Sequence, residues 1–206
     1  DKFEENLTRL ELKLTQYDIN KRTKFINNDA NPSILQLASF LKMDTDRKAT
    51  FQNPFHYKAL CLLDPFGMSI DWETIVQLAG KSLDLWILVP TGSIVSRLIQ
   101  NDGTLRYPDT LSRFFGLPKE EIESRFFIKE QVVDLFGEHE EIHKVENAIE
   151  VISELYCEQL GTLFPYVTLE PLVLKNSNNV PLFSFVCASY NKTAVKIAQQ
   201  IINKRQ

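Results

Sequence analysis

The chain is poor in the residues that most directly announce a chemistry. Its three cysteines, Cys61, Cys157 and Cys187, lie far apart with no Cys-x-x-Cys pair, which excludes a disulfide framework and a thiolate zinc knuckle. Cys61 and Cys187 fall inside apolar runs and read as small buried hydrophobes, which suits a reducing compartment and hence a cytoplasmic location. Of the three histidines, His139 and His143 stand four apart, but neither Cys nor a third ligand lies nearby, so no metal is expected. The seven glycines never form Gly-x-Gly, so the loop that opens a dinucleotide or S-adenosylmethionine site is missing. No apolar run approaches the roughly 20 residues that cross a bilayer. The opening Asp1-Lys2-Phe3-Glu4-Glu5 has none of the marks of a signal peptide, so no membrane role is expected. A net charge of −4 supplies no general attraction to nucleic acid, and Lys192, Lys196, Lys204 and Arg205 read as one solvated helix face.

What the sequence does have is a core. Hydrophobic residues make up 44% of its 206, enough for a single α/β domain over 1–206. Phe3, Leu7, Leu10 and Leu14 recur at helical spacing. Lys24-Phe25-Ile26-Asn27 is a short strand candidate, and Asn31-Pro32-Ser33 then predicts a helix start with Asn31 as N-cap. The continuously apolar Ala59-Leu60-Cys61-Leu62-Leu63 predicts a central strand covered on both faces. A helix from about Trp72 to Leu78 closes at Gly80, and Leu83–Val89 is the third strand. Strand, helix, strand, helix, strand predicts a doubly wound, mostly parallel sheet. From about 93 to 142 the pattern breaks into short helical pieces, read as a helical insertion, and a helix from about His143 to Leu160 follows. Val167–Leu174 and Val180–Ala188 predict an antiparallel pair, and Thr193–Ile202 a closing helix.

In open α/β sheets, ligands bind beyond the carboxyl ends of the strands. Three polar clusters should gather there: Asn28-Asp29-Ala30-Asn31, Asp64-Pro65-Phe66-Gly67 and Val89-Pro90-Thr91-Gly92. Asp29 can accept from an exocyclic amine such as that of adenine while the Ala30 amide donates to a ring nitrogen; its plainer use is to cap the next helix. Asp64 can orient an amine over the Phe66 ring, or the segment can be a tight turn with an incidental Phe in the core. Asp71 and Glu73 beside Trp72 read as helix-start carboxylates. The pairs Phe114-Phe115 and Phe126-Phe127 read as core of the insertion.

The order of Asn28-Asp29-Ala30-Asn31, Leu62-Leu63-Asp64-Pro65-Phe66-Gly67-Met68 through Asp71-Trp72, and Asp84-Leu85-Trp86-Ile87-Leu88 with Pro90-Thr91-Gly92 resembles the three-Cys-motif partner proteins. Arg97-Leu98, Phe114-Phe115-Gly116 and Pro181-Leu182-Phe183 through Ala188-Ser189 extend the likeness over most of the chain from about residue 24. The resemblance implies a Rossmann-like fold of the class I methyltransferase type and S-adenosylmethionine as cofactor. It implies Asn28, Asp29 and Ala30 at the adenine end, and Asp64, Pro65 and Phe66 in the place of an Asp-Pro-Pro-Tyr type catalytic motif. Gly67 and Thr91 would lie toward the substrate, an amine or nucleic-acid base, and a separate three-Cys-motif protein would be the partner. Phe and Gly stand where that motif has Pro and Tyr. Because members usually carry a Gly-rich first-strand loop, the expectation is that the first strands lie upstream of Asp1. The rival expectation is a non-catalytic binding module serving the three-Cys-motif partner.

Overall fold

The structure, a computed structural model, describes residues 4–15, 17, 23–41, 58–92, 94–134 and 137–205. The elements, in order, are α1 (Glu4–Leu14), α2 (Ala30–Phe40), β1 (Ala59–Leu63), α3 (Trp72–Val76), β2 (Leu83–Pro90), α4 (Pro108–Phe115), α5 (Lys119–Phe126) and β3 (Phe127–Asp134). Then come β4 (Gly137–Lys144), α6 (Ala148–Leu163), β5 (Tyr166–Val167), β6 (Leu172–Lys175), β7 (Pro181–Ser189) and α7 (Lys192–Asn203).

Among the described residues, five strands form one mixed sheet in the order β1-β2-β7-β5, with β6 also on β7. β1 and β2 run parallel, joined through α3, as two apolar strands with a crossover helix between them must. The rest corrects the mostly parallel expectation: β7 runs antiparallel to β2, β5 and β6. The cause is local. Asn176 Oδ1 accepts from the amides of Asn178 and Val180, and Asn179 takes φ 60, so the chain reverses directly from β6 into β7. The strand read as Val167–Leu174 is split in two, and between the pieces Thr168 Oγ1 accepts from the Cys187 amide at 3.1 Å.

Alternation decides the two faces of the sheet. Leu83, Leu85, Ile87 and Val89 are buried, and the register sets Leu63 beside Ile87 and Ile87 beside Val186. That face shares one apolar cluster with Ile75 and Leu78 and with Ile152, Leu155 and Leu160 of α6. The other face meets α7, whose Val195 and Ala198 pack on Cys187 with Trp86 alongside. β1 departs from expectation. Among the described strands it is an edge, and Leu60 and Leu62 are 73% and 62% exposed where cover on both faces was expected. α1 forms at the expected spacing but buries none of its residues.

Two further readings are corrected. Residues 24–27 join no strand ladder. The insertion is only partly helical: α4 and α5 form, but Phe127–Lys144 is a β-hairpin. Ile128, Val132, Val133 and Ile142 are β-branched, and Glu138-His139-Glu140-Glu141 offers no apolar stripe at helical spacing. Lys144 pins this hairpin to the segment after β2, donating to the carbonyls of Ser96 and Ile99, both at 2.6 Å; burial holds its ammonium below the ordinary lysine value. α6 accordingly starts at Ala148 rather than His143.

Tyr190, just past β7, joins three elements through one hydroxyl. It donates to the Leu163 carbonyl at 2.6 Å and accepts from the Gly80 amide at 2.8 Å. Tyr190→Phe is expected to cost about 1–3 kcal/mol, because both backbone groups lose their partner in a half-buried setting. Urea unfolding of the two proteins measures it, and a loss below about 0.5 kcal/mol would mean that water replaces the hydroxyl at no cost.

Candidate functional site

The carboxyl end of β1 and the amino end of α2 enclose an open cleft of about 550 Å³. One wall is Asn28, Asp29, Ala30, Ser33 and Ile34; the other is Leu62 through Phe66 with Ser69 and Ile70. The two segments read from the sequence as a cofactor end and a catalytic end therefore share one cavity, although some 35 residues of chain separate them.

Asp29 is the N-cap of α2, two residues before the expected cap Asn31: its Oδ1 accepts from the Asn31 amide at 3.1 Å. The plain use of Asp29 is thus realised, and it brings the carboxylate into the cleft wall. Asn28 Oδ1 in turn accepts from the Asp29 amide at 2.8 Å, and Ser33 Oγ donates back to the Asp29 carbonyl at 2.7 Å. Ala30 opens the helix, where amides have no intrahelical acceptor. Asn31 instead bonds to the segment that follows the opposite wall. Its Nδ2 donates to the Ser69 carbonyl at 2.9 Å and its Oδ1 accepts from the Asp71 amide at 3.0 Å.

On the opposite wall, buried Pro65 anchors the turn while Asp64 stays exposed. Phe66 is 96% exposed, so it is not an incidental core ring but a free aromatic surface at the cleft rim. Gly67 follows at φ 64, a left-handed angle that the sharp turn requires. Ile34 and Ile70 are buried at the base and belong to the main core.

Gly67 and Thr91 do not line this cleft. Thr91 is fully buried, its amide donating at 3.0 Å to the Leu182 carbonyl that also receives the Gly92 amide, and its Oγ1 has no partner among the described residues. Asp71, Trp72 and Glu73 line a separate depression of about 410 Å³ with Ser112, Arg113 and Gly116. Asp71 is the N-cap of α3 in position, without a side-chain capping bond. Phe114, Phe115, Phe126 and Phe127 are buried, as a core reading of that stretch expects. Sequence reasoning missed Ser33, Ser69, Ile34 and Ile70 as lining residues; Ile34 alone had a signal, as part of a helical apolar stripe.

The chemistry of the lining is one-sided. Among the described residues it carries two carboxylates, Asp29 and Asp64, and no Lys, Arg or His, between apolar walls. A helix N-terminus ordinarily favours anions, but two carboxylates beside it oppose a phosphate and favour a cation or an amine. On the hairpin, His139 and His143 both contact Glu141, at 3.3 and 3.1 Å. No group of three His, Cys, Asp or Glu among the described residues is placed to hold a metal ion. Nor is any helix among them long and apolar enough to cross a membrane. No family model, curated protein or solved structure matches the chain.

Proposed function

We propose that the cleft takes S-adenosylmethionine and that the protein is a methyltransferase-like α/β domain acting on an amine or a nucleic-acid base. The observation that carries this reading is the convergence of Asn28-Asp29-Ala30 and Asp64-Pro65-Phe66 on one cavity whose described lining holds two carboxylates beside apolar side chains. The donor set fits the ligand. The Asp29 carboxylate accepts from an adenine amine, the Ala30 amide donates to a ring nitrogen, and Ile34 and Ile70 offer apolar surface to the ring. The sulfonium and ammonium charges suit a site with two carboxylates, whereas the phosphates of ATP or NAD do not.

When bound, S-adenosylmethionine supplies an electrophilic methyl group. Asp64 accepts a hydrogen bond from the acceptor nitrogen and turns its lone pair toward that methyl, while the exposed Phe66 ring carries the acceptor's flat face. The parallel β1-α3-β2 unit, with helices on both faces of its sheet, supports a Rossmann-like reading of the fold. Three free cysteines suit the cytoplasm.

Calorimetric titration tests the reading. S-adenosylmethionine and S-adenosylhomocysteine are expected to bind, with ATP and NAD at least tenfold weaker. Asp29→Asn keeps a good N-cap but removes the charge, so it should weaken S-adenosylmethionine about tenfold, or about 1.4 kcal/mol. No heat from either sulfur ligand, or equal affinity for ATP, would sink it. Weight would then pass to the second reading, a binding module serving a three-Cys-motif partner, which the exposed Leu60 and Leu62 of β1 favour.

A further inference from the structure

Resting on that ligand reading, we propose that Asn31 is a positioning residue whose side-chain amide clasps the two walls of the cleft at a fixed separation. The walls come from segments far apart in the chain, and between them Asn31 makes a bidentate bridge. Nδ2 donates to the Ser69 carbonyl at 2.9 Å, and Oδ1 accepts from the Asp71 amide at 3.0 Å. Ile34 and Ile70, one from each wall, belong to the same apolar core, whose packing has no preferred direction. The amide bridge is directional, and it holds the segment bearing Asp64 and Phe66 by its far end, at Ser69 and Asp71, against the helix that presents Asp29 and Ala30. A ligand touching both walls binds well only if their spacing is set before it arrives.

The residue type is specific to the task. A carboxylate at this position still accepts from the Asp71 amide but repels the Ser69 carbonyl; a serine is too short to reach both. Asn31→Asp is the sharper test because the helix dipole offsets part of the lost Ser69 bond while ligand electrostatics point the other way. A carboxylate in the first turn of α2 complements the helix dipole, and added negative charge draws a sulfonium. If the bridge only adds stability, an Asp variant that is still folded is expected to bind S-adenosylmethionine as well or better.

The experiment measures S-adenosylmethionine affinity and amide hydrogen exchange in the full chain as wild type, Asn31→Asp and Asn31→Ala. We expect Kd at least tenfold higher in both variants, Asn31→Asp still folded, and exchange of the Asp71 amide at least tenfold faster in Asn31→Ala. A Kd within twofold of wild type in either variant overturns the clasp while leaving the ligand reading intact. If the wild type itself does not bind, the ligand reading fails, and Asp71 exchange alone judges the clasp: faster exchange in Asn31→Ala supports it, and unchanged exchange overturns it.

Discussion

Gly116→Ala is expected to remove about 2–5 kcal/mol from an unfolding free energy that for domains of this kind is about 5–15 kcal/mol. Gly116 caps α4 at φ 70 and ψ 27, donating its amide to Ser112 at 2.8 Å. A residue with a Cβ pays about 1–2 kcal/mol for that left-handed angle. The larger cost is steric. A Cβ there would stand 1.9 Å from Cδ1 of Trp72 and 2.3 Å from its Cγ, so the indole has to move. That indole is buried and meets Tyr156 edge-on at 5.7 Å, and Tyr156 in turn packs on Phe114. Overpacking such a cluster costs about 1–3 kcal/mol. Gly161 is the control. It lies inside α6 with nothing within 4 Å of a new Cβ, so Gly161→Ala should add about 0.5–1 kcal/mol. Urea titrations read by tryptophan fluorescence measure both. A Gly116→Ala loss under about 1 kcal/mol would mean that Trp72 finds another rotamer freely.

How far the sequence speaks for this fold differs element by element. β2 was legible because Leu83–Val89 is apolar, bounded by turns and long enough, and α7 because its apolar residues repeat at helical spacing. The direction of β7 was legible from the short Asn-rich turn before it, but the consequence for a sheet expected to be mostly parallel was not drawn. A run such as Ala-Leu-Cys-Leu-Leu reports that a strand is apolar, not how many strands lie beside it. Hence the exposure of Leu60 and Leu62 was invisible. The cap of α2 slipped because Asn-Asp-Ala-Asn-Pro offers three residues able to cap, and Pro32 is tolerated anywhere in the first turn, where amides lack acceptors anyway.

That the two segments share a cavity was legible for a topological reason. Polar, turn-forming residues after apolar strands gather at one end of a sheet, so Asp29 and Asp64 could be brought together without coordinates. Thr91 satisfies the same rule and still fails to reach the cleft, because its backbone is taken up by Leu182 and it is buried. Which polar residue bonds across the cavity is a tertiary fact. The partners of Asn31 lie 38 and 40 positions away, and no local pattern distinguishes that Asn from a capping one.

Raising the pH from about 9 to about 11 is expected to unfold the protein, with buried thiols as the main cause. Burial pushes Cys61 up to about 11. It pushes Cys157 up to about 12, with Glu154 and Glu158 adding to it, and Cys187 to about 12, with Asp84 adding. Burial raises the Tyr156 hydroxyl as well, and that group has no hydrogen-bond partner among the described residues. In the unfolded chain the thiols ionise near their ordinary value of 9.0. Between that value and the folded ones, the unfolded state binds fewer protons than the folded state, so stability falls as pH rises. Each thiol contributes up to about 1.4 kcal/mol per pH unit across its window, and three together up to about 4 kcal/mol per unit. Over two pH units that rivals the whole stability of a domain. Far-UV circular dichroism against pH should show a cooperative loss centred near pH 10 to 11. Cys187→Ala loses one of the ionising groups, so its transition should be shallower in pH even though the small cavity lowers its stability at pH 7. A fold intact at pH 11.5, or an equally steep transition in that variant, would show that these thiols reach water without unfolding.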